Sequence, residues 1–120
     1  IYMLTIWWND GLRRQSVTTM KENISQIIEH LETVNPNAQI VLSGMQMPIN
    51  LWWNYSKEFN KSYWELSEKY KLPLYEFFLE WVAKDSELNL SDGIHPNNAG
   101  YKIIAENLYA FLEDENIIQK

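Results

Sequence analysis

The chain has 120 residues, which predicts a single domain over residues 1–120, long enough to bury a real core. Hydrophobic residues make up 46% of it, with six Trp, seven Tyr and four Phe, which excludes a disordered chain. The net charge of −6 argues against a phosphate-binding or anionic-lipid-binding face, so no nucleic-acid partner is expected. With no cysteine, disulfide frameworks and Cys-based zinc sites are ruled out. No apolar run approaches the ~18 residues that cross a bilayer.

Ile1 to Trp8 is apolar and rich in strand formers, and turn residues follow at Asn9-Asp10-Gly11. It reads as a buried strand. The first residue already lies inside an apolar run, so we expect a chain that begins within a domain. Val17, Met20, Ile24, Ile27, Ile28, Leu31 and Val34 recur at helical spacing and predict an amphipathic helix. Thr19 and Glu22 have capping-box spacing at its start, and Asn35-Pro36 ends it.

Ala38 to Gly44 predicts a second strand, and Met45 to Asn50 a loop containing Pro48. Trp52, Tyr55, Phe59, Tyr63, Leu66 and Tyr70 mark a second helix. An aromatic stripe of this kind is either core or a sugar- or lipid-binding face. Leu72 to Tyr75 predicts a third strand, and 76–90 a helical turn followed by loop. Asn97 begins the last helix, with Tyr101, Ile104, Leu108 and Leu112 on one face. Strands alternating with helices imply an α/β fold with parallel strand pairing. Three strands make a thin sheet, which suggests part of a larger one.

Open α/β sheets bind ligands beyond the carboxyl ends of their strands. Three loops follow such ends: Trp7 to Leu12, Met45 to Pro48, and Ser91 to Asn97. In the third, Asp92 and His95 are three residues apart, with Gly93 between them and Pro96 after. Gly93 permits a sharp turn, and Pro96 pushes His95 towards extended geometry. Such a loop can set the carboxylate against one imidazole nitrogen and leave the other as a general base. It can equally be a turn with a capping Asp and a solvated His. Asn97 can cap the helix that follows. Asn9 could donate its amide to a developing oxyanion, or simply occupy a turn. His30 lies near the end of the first helix, where a solvated side chain is expected. A zinc site built on His95 and Asp92 would lack a full ligand set. The glycines are too scattered for a phosphate loop.

Taken together, Asn9-Asp10-Gly11-Leu12-Arg13 and Asp92-Gly93-Ile94-His95-Pro96-Asn97 resemble the SGNH (GDSL-type) hydrolases. The arylesterase and thioesterase I/lysophospholipase branch is the most similar. Pro73 to Glu80 looks like that branch's third strand and its sequel, and Asn98 to Asn107 like its final helix. The resemblance implies a flavodoxin-like three-layer α/β/α fold and a serine esterase mechanism. On that basis His95 is the general base, Asp92 orients it, and Asn9 is an oxyanion-hole donor. Gly11, Leu12, Met47 and Pro48 border the acyl pocket. A small ester or thioester is the implied substrate, with no metal and no organic cofactor.

Two features depart from the family's pattern. Its nucleophile lies in a Gly-Asp-Ser motif, and none of the serines here stands in that context or in a Gly-x-Ser-x-Gly elbow. Ser43, at a strand end before Gly44, comes nearest. Trp7 and Trp8 stand where the family carries glycines. The expectation is therefore the C-terminal part of an ester hydrolase whose nucleophile lies upstream. The alternative is a catalytically inactive binding or scaffold domain of the same ancestry. Taken alone, the 120 residues would have marginal stability or self-associate through an exposed sheet edge.

Overall fold

The computed structural model describes residues 1–6, 11, 13–47 and 52–119. The chain packs as two compact units, Ile1–Glu76 and Phe77–Lys120. The first holds β1 (Tyr2–Leu4), α1 (Val17–Val34), β2 (Ile40–Ser43), α2 (Trp53–Tyr70) and β3 (Leu74–Tyr75). The second holds α3 (Asn98–Asp114), preceded by a run of turns.

The three strands form one sheet in the order β1-β2-β3, with both pairings parallel as expected. Tyr2, Met3 and Leu4 stand opposite Ile40, Val41 and Leu42, and Leu42 and Ser43 opposite Leu74 and Tyr75. All four residues of β2 are buried, the pattern of a strand covered on both faces. β1 is shorter than the apolar run suggests and only partly buried, because among the described strands it pairs on one side alone. Its predicted end at Trp7 and Trp8 lies outside the described residues.

Residues two apart on a strand share a face. Ile40 and Leu42 accordingly meet Met20, Ile24 and Ile28 of α1 and Phe59, Tyr63 and Leu66 of α2 in one apolar cluster. The aromatic stripe of α2 is therefore core at Phe59 and Tyr63, whose rings meet edge to face at 5.6 Å. Trp52 departs from the stripe. It precedes the helix with φ 49°, is exposed, and takes the Arg14 guanidinium over its ring at 5.0 Å.

The cap of α1 differs from the sequence expectation. Ser16, not Thr19, is the N-cap residue, and its Oγ accepts from the Thr19 N–H at 3.3 Å. Val17 is the reason: it belongs to the apolar stripe and is the first helical residue, which makes Ser16 the cap and puts Thr19 inside the first turn. Lys21 of α1 also pairs with Glu65 of α2. That hydrogen bond holds the Glu65 carboxyl below its ordinary pKa.

Gly44 closes β2 where the backbone of Glu76 passes close by. A Cβ there would lie 2.4 Å from the Glu76 carbonyl oxygen, and backbone cannot swing away as a side chain can. Gly44→Ala should therefore destabilise the protein by about 1–3 kcal/mol through overpacking. Ile24→Ala, which empties a fully buried site, should cost about 2–5 kcal/mol. Lys21→Met should cost under about 1 kcal/mol, because its ion pair is partly exposed. Denaturant midpoints of the protein at its full natural length measure all three; an ion-pair loss as large as the core loss would contradict this ordering.

Candidate active site

The second unit builds a rigid loop ahead of α3. Asn89, only 8% exposed, donates its amide to the carbonyls of Val82 at 2.8 Å and Asp85 at 2.7 Å. Its backbone bridges antiparallel to Pro96. Leu90 N–H reaches the His95 carbonyl at 2.8 Å, and Asn97 N–H reaches that of Leu88 at 2.9 Å. Residues 88–97 are thus tied back on themselves at both ends. Gly100 lets the loop sit against α3, since a Cβ there would lie 2.2 Å from the Leu88 carbonyl oxygen. Asn97 caps α3 as expected, its Oδ1 accepting from the Gly100 N–H at 3.0 Å. Its amide nitrogen also donates to the Glu87 carbonyl at 2.8 Å.

Asp92 divides its two carboxylate oxygens between two tasks. Oδ1 accepts from the backbone N–H groups of Ile94 at 2.9 Å and His95 at 3.0 Å, which shapes the turn. Oδ2 meets His95 Nδ1 at 2.6 Å. Gly93 lies between them at φ +69°, where an L side chain would be strained. A carboxylate that accepts several hydrogen bonds is stabilised in its charged form. The imidazole contact, with the two backbone bonds, lowers the Asp92 carboxyl to about 2. A carboxylate acceptor requires the proton on Nδ1, so the neutral ring carries its basic lone pair on Nε2. The His95 side chain remains 66% exposed, so that nitrogen is open to a reactant.

The first unit brings two other predicted residues together. Gly11 is buried, and a Cβ on it would lie 2.7 Å from Phe59 Cε2 and 3.1 Å from Met47 Sδ. Met47 is 1% exposed and belongs to the core cluster. Its thioether therefore backs the loop after β2 from the inside. Asn9, Leu12 and Pro48 lie outside the described residues. Ser43, the serine at a strand end, is 3% exposed and shut away from any reactant. His30 is exposed on α1, as expected. Among the described residues no three His, Cys, Asp or Glu side chains are grouped so as to hold a metal ion. Among them, too, no helix is long and apolar enough to cross a membrane.

Sequence reasoning missed Asn89 and Asn60. Asn89 offers only a weak signal, an Asn between two leucines in a loop. Asn60, whose amide accepts from the Met47 N–H at 2.7 Å and donates to the Met47 carbonyl at 3.1 Å, offers none, because Met47 lies 13 positions away.

Known proteins resemble this chain in sequence and in fold. The chain is 31% identical over 98 residues to the thioesterase 1/protease 1/lysophospholipase L1 of Escherichia coli (strain K12), covering 82% of this chain and 46% of that protein. It is 30% identical over 106 residues to an arylesterase of Vibrio mimicus, covering 88% of this chain and 52% of that one. The structure of the psychrotrophic esterase EstA from Pseudoalteromonas sp., inhibited by monoethylphosphonate, superposes with a TM-score of 0.87 at 28% identity. That match covers 97% of this chain and 62% of EstA. The chain spans about half the length of the curated relatives it matches. A model of the GDSL-like lipase/acylhydrolase family matches residues 3–103, so the chain belongs to that family and has the α/β fold of the SGNH hydrolases.

Proposed function

We propose that the protein is an ester hydrolase of the arylesterase/thioesterase/lysophospholipase type, working through a serine-bound acyl intermediate. The observation that carries this is the Asp92–His95 pair at 2.6 Å, in a chain of this family. The nucleophile would be a serine of the Gly-Asp-Ser type, supplied from the part of the relatives' length that this chain does not span.

His95 Nε2 takes the serine proton as the oxygen attacks the substrate carbonyl. The imidazolium that forms is stabilised by Asp92, which keeps its own charge. His95 then returns the proton to the departing alcohol or thiol. Water attacks the acyl-serine in the second half, with His95 again the base. Asn9 donates its side-chain amide to the oxyanion, a contribution worth about 10²–10³ in rate. Leu12 and Pro48 border the acyl chain; Gly11 and Met47, which the sequence also pointed to, are buried and back that border from the core side. The substrates are small esters and thioesters, and neither metal nor organic cofactor takes part. The inhibition of EstA by a monoethylphosphonate fits this chemistry, since a tetrahedral phosphonate resembles the intermediate.

In the full-length protein, His95→Ala should lower kcat/KM for a short-chain aryl ester by about 10⁴-fold or more. Asp92→Asn should cost up to about 10⁴-fold, less than loss of the base itself: its amide keeps the turn hydrogen bonds but donates to Nδ1, which moves the ring proton to Nε2, the nitrogen that must act as base. Hydrolysis indifferent to His95 would show that the base lies elsewhere. A fluorophosphonate should label one serine of that protein. An intact fold that is never labelled and never turns over would instead make it a binding or scaffold domain.

Protonation of Asp92 supplies a second test. Its folded pKa lies near 2, below the ordinary 3.8, so its contribution is complete above about pH 4 and is lost as pH falls towards 2. The Nδ1 proton resonance of His95 should persist down to pH 4 and disappear over that interval. A resonance lost already near pH 6 would mean that the pair is not held by the carboxylate.

A further inference from the structure

The tryptophans Trp52, Trp53, Trp64 and Trp81 are all exposed. An indole carries a large apolar surface, and leaving it in water forgoes burial that would stabilise the fold. Two of the four lie on one face of α2. Residues 53 and 64 are separated by close to three full turns, so Trp53 and Trp64 stand about 16 Å apart along one line of the helix. They are 59% and 51% exposed. The opposite face of α2 carries Phe59, Tyr63 and Leu66 into the core cluster, and neither tryptophan belongs to that cluster or packs against it.

Between the two indoles the same face carries Lys57 and Lys61, one and two turns on from Trp53. Both are exposed. Lys61 also reaches the Glu65 carboxylate at 3.5 Å, and that carboxylate is shared with Lys21. Glu58 lies about 100° round the helix from Lys57, and Glu68 a turn beyond Trp64. Trp52, exposed at the same end of the helix as Trp53, holds the Arg14 guanidinium over its ring.

Indoles at two ends with ammonium groups between them match the boundary of a phospholipid layer. There the ring reaches the acyl region while its N–H stays among the headgroups. Lysine stems lie along the apolar surface and keep the ammonium at the level of the phosphates. The chain's charge of −6 selects the kind of lipid, since it opposes an anionic surface and leaves a zwitterionic one unopposed. A groove of about 410 Å³ beside Trp64 fits the same choice, because Lys61 and Glu76 line it with one charge of each sign.

We infer that the outer face of α2, with Trp53, Lys57, Lys61 and Trp64, docks the protein on a zwitterionic phospholipid surface, the helix lying along it. Docking does not depend on the proposed hydrolysis and is read without turnover.

The test floats the full-length protein with phosphatidylcholine vesicles. The parent should rise with them. Trp53→Ala and Trp64→Ala should each lower the partition coefficient about tenfold, the scale of one large apolar side chain withdrawn from water. Added phosphatidylglycerol should weaken binding, because the chain is acidic. Both tryptophans are exposed, so the variants should keep the parent's thermal midpoint. Brominated phosphatidylcholine should also quench the parent's tryptophan fluorescence, a reading that needs no variant. A parent that neither floats nor is quenched overturns the inference. So does a folded Trp53→Ala/Trp64→Ala protein that floats like the parent. Flotation only when phosphatidylglycerol is present overturns it too, because charge rather than the indole face then holds the protein. Parent dimers that dissociate in the double variant, without flotation of either, overturn it by making this face a contact between copies.

Discussion

Everything in the first unit hangs on β2 being buried along its whole length. Ile40 and Leu42 must face α1 and α2, and Val41 and Ser43 the other side, because successive side chains alternate. A one-residue slip would exchange the two sets, so the register with β1 and β3 is held by packing as much as by hydrogen bonds. That register decides where β2 stops. It stops at Gly44, against the Glu76 backbone, and the chain leaves the sheet there in a direction that brings Met47 back into the core.

The loop after β2 is therefore anchored from both sides. Its thioether is buried among Phe59 and the α1–α2 cluster, while its peptide is gripped by Asn60. The two anchors differ in kind. Apolar packing fixes how deeply the side chain inserts, since a gap of about 0.5–1 Å already forfeits a quarter to a half of each dispersion contact, but it has no preferred direction. A two-point hydrogen bond is directional and so also fixes how the peptide is turned. Core and clamp together make a loop edge that is well defined without regular secondary structure.

The Asp92 turn works by a different economy of parts. Here one carboxylate both shapes the backbone and meets the imidazole, so the turn and the Asp–His contact depend on the same residue. Its partners lie within three residues. Asn89 and Gly100 act from further away. One ties the loop to the Val82 and Asp85 carbonyls, and the other lets α3 come within reach of Leu88. The Asp–His geometry is local, but its rigidity is not.

That contrast explains what could be read from the residues alone. The Asp92–His95 pairing, the Gly93 turn and the Asn97 cap were legible because each partner lies within a few positions of the other. So were the two long helices of the first unit and the parallel sheet, since apolar periodicity is a local record of what must be buried. The Thr19–Glu22 capping box was misread because helix starts depend on which residue the core recruits first, and the core recruited Val17. Trp52 had the right spacing for the stripe but fell one residue short of the helix and outside the core.

Composition, periodicity and short-range spacing by themselves determined the α/β class and the element order, and the family resemblance singled out Asp92 and His95 in a loop that spacing left open between an acid–base pair and a plain turn. Only the tertiary structure decided that Asn60 grips Met47, that Phe59 lies over Gly11, and that Asn89 braces the histidine loop. Asn60 and Met47 are 13 residues apart, on a helix and a loop whose relative placement depends on how α2 settles on β2. No local preference encodes such a contact. It exists only once Phe59, Leu42 and Met47 have packed, because the buried apolar surface, not the amide, brings the two segments within reach.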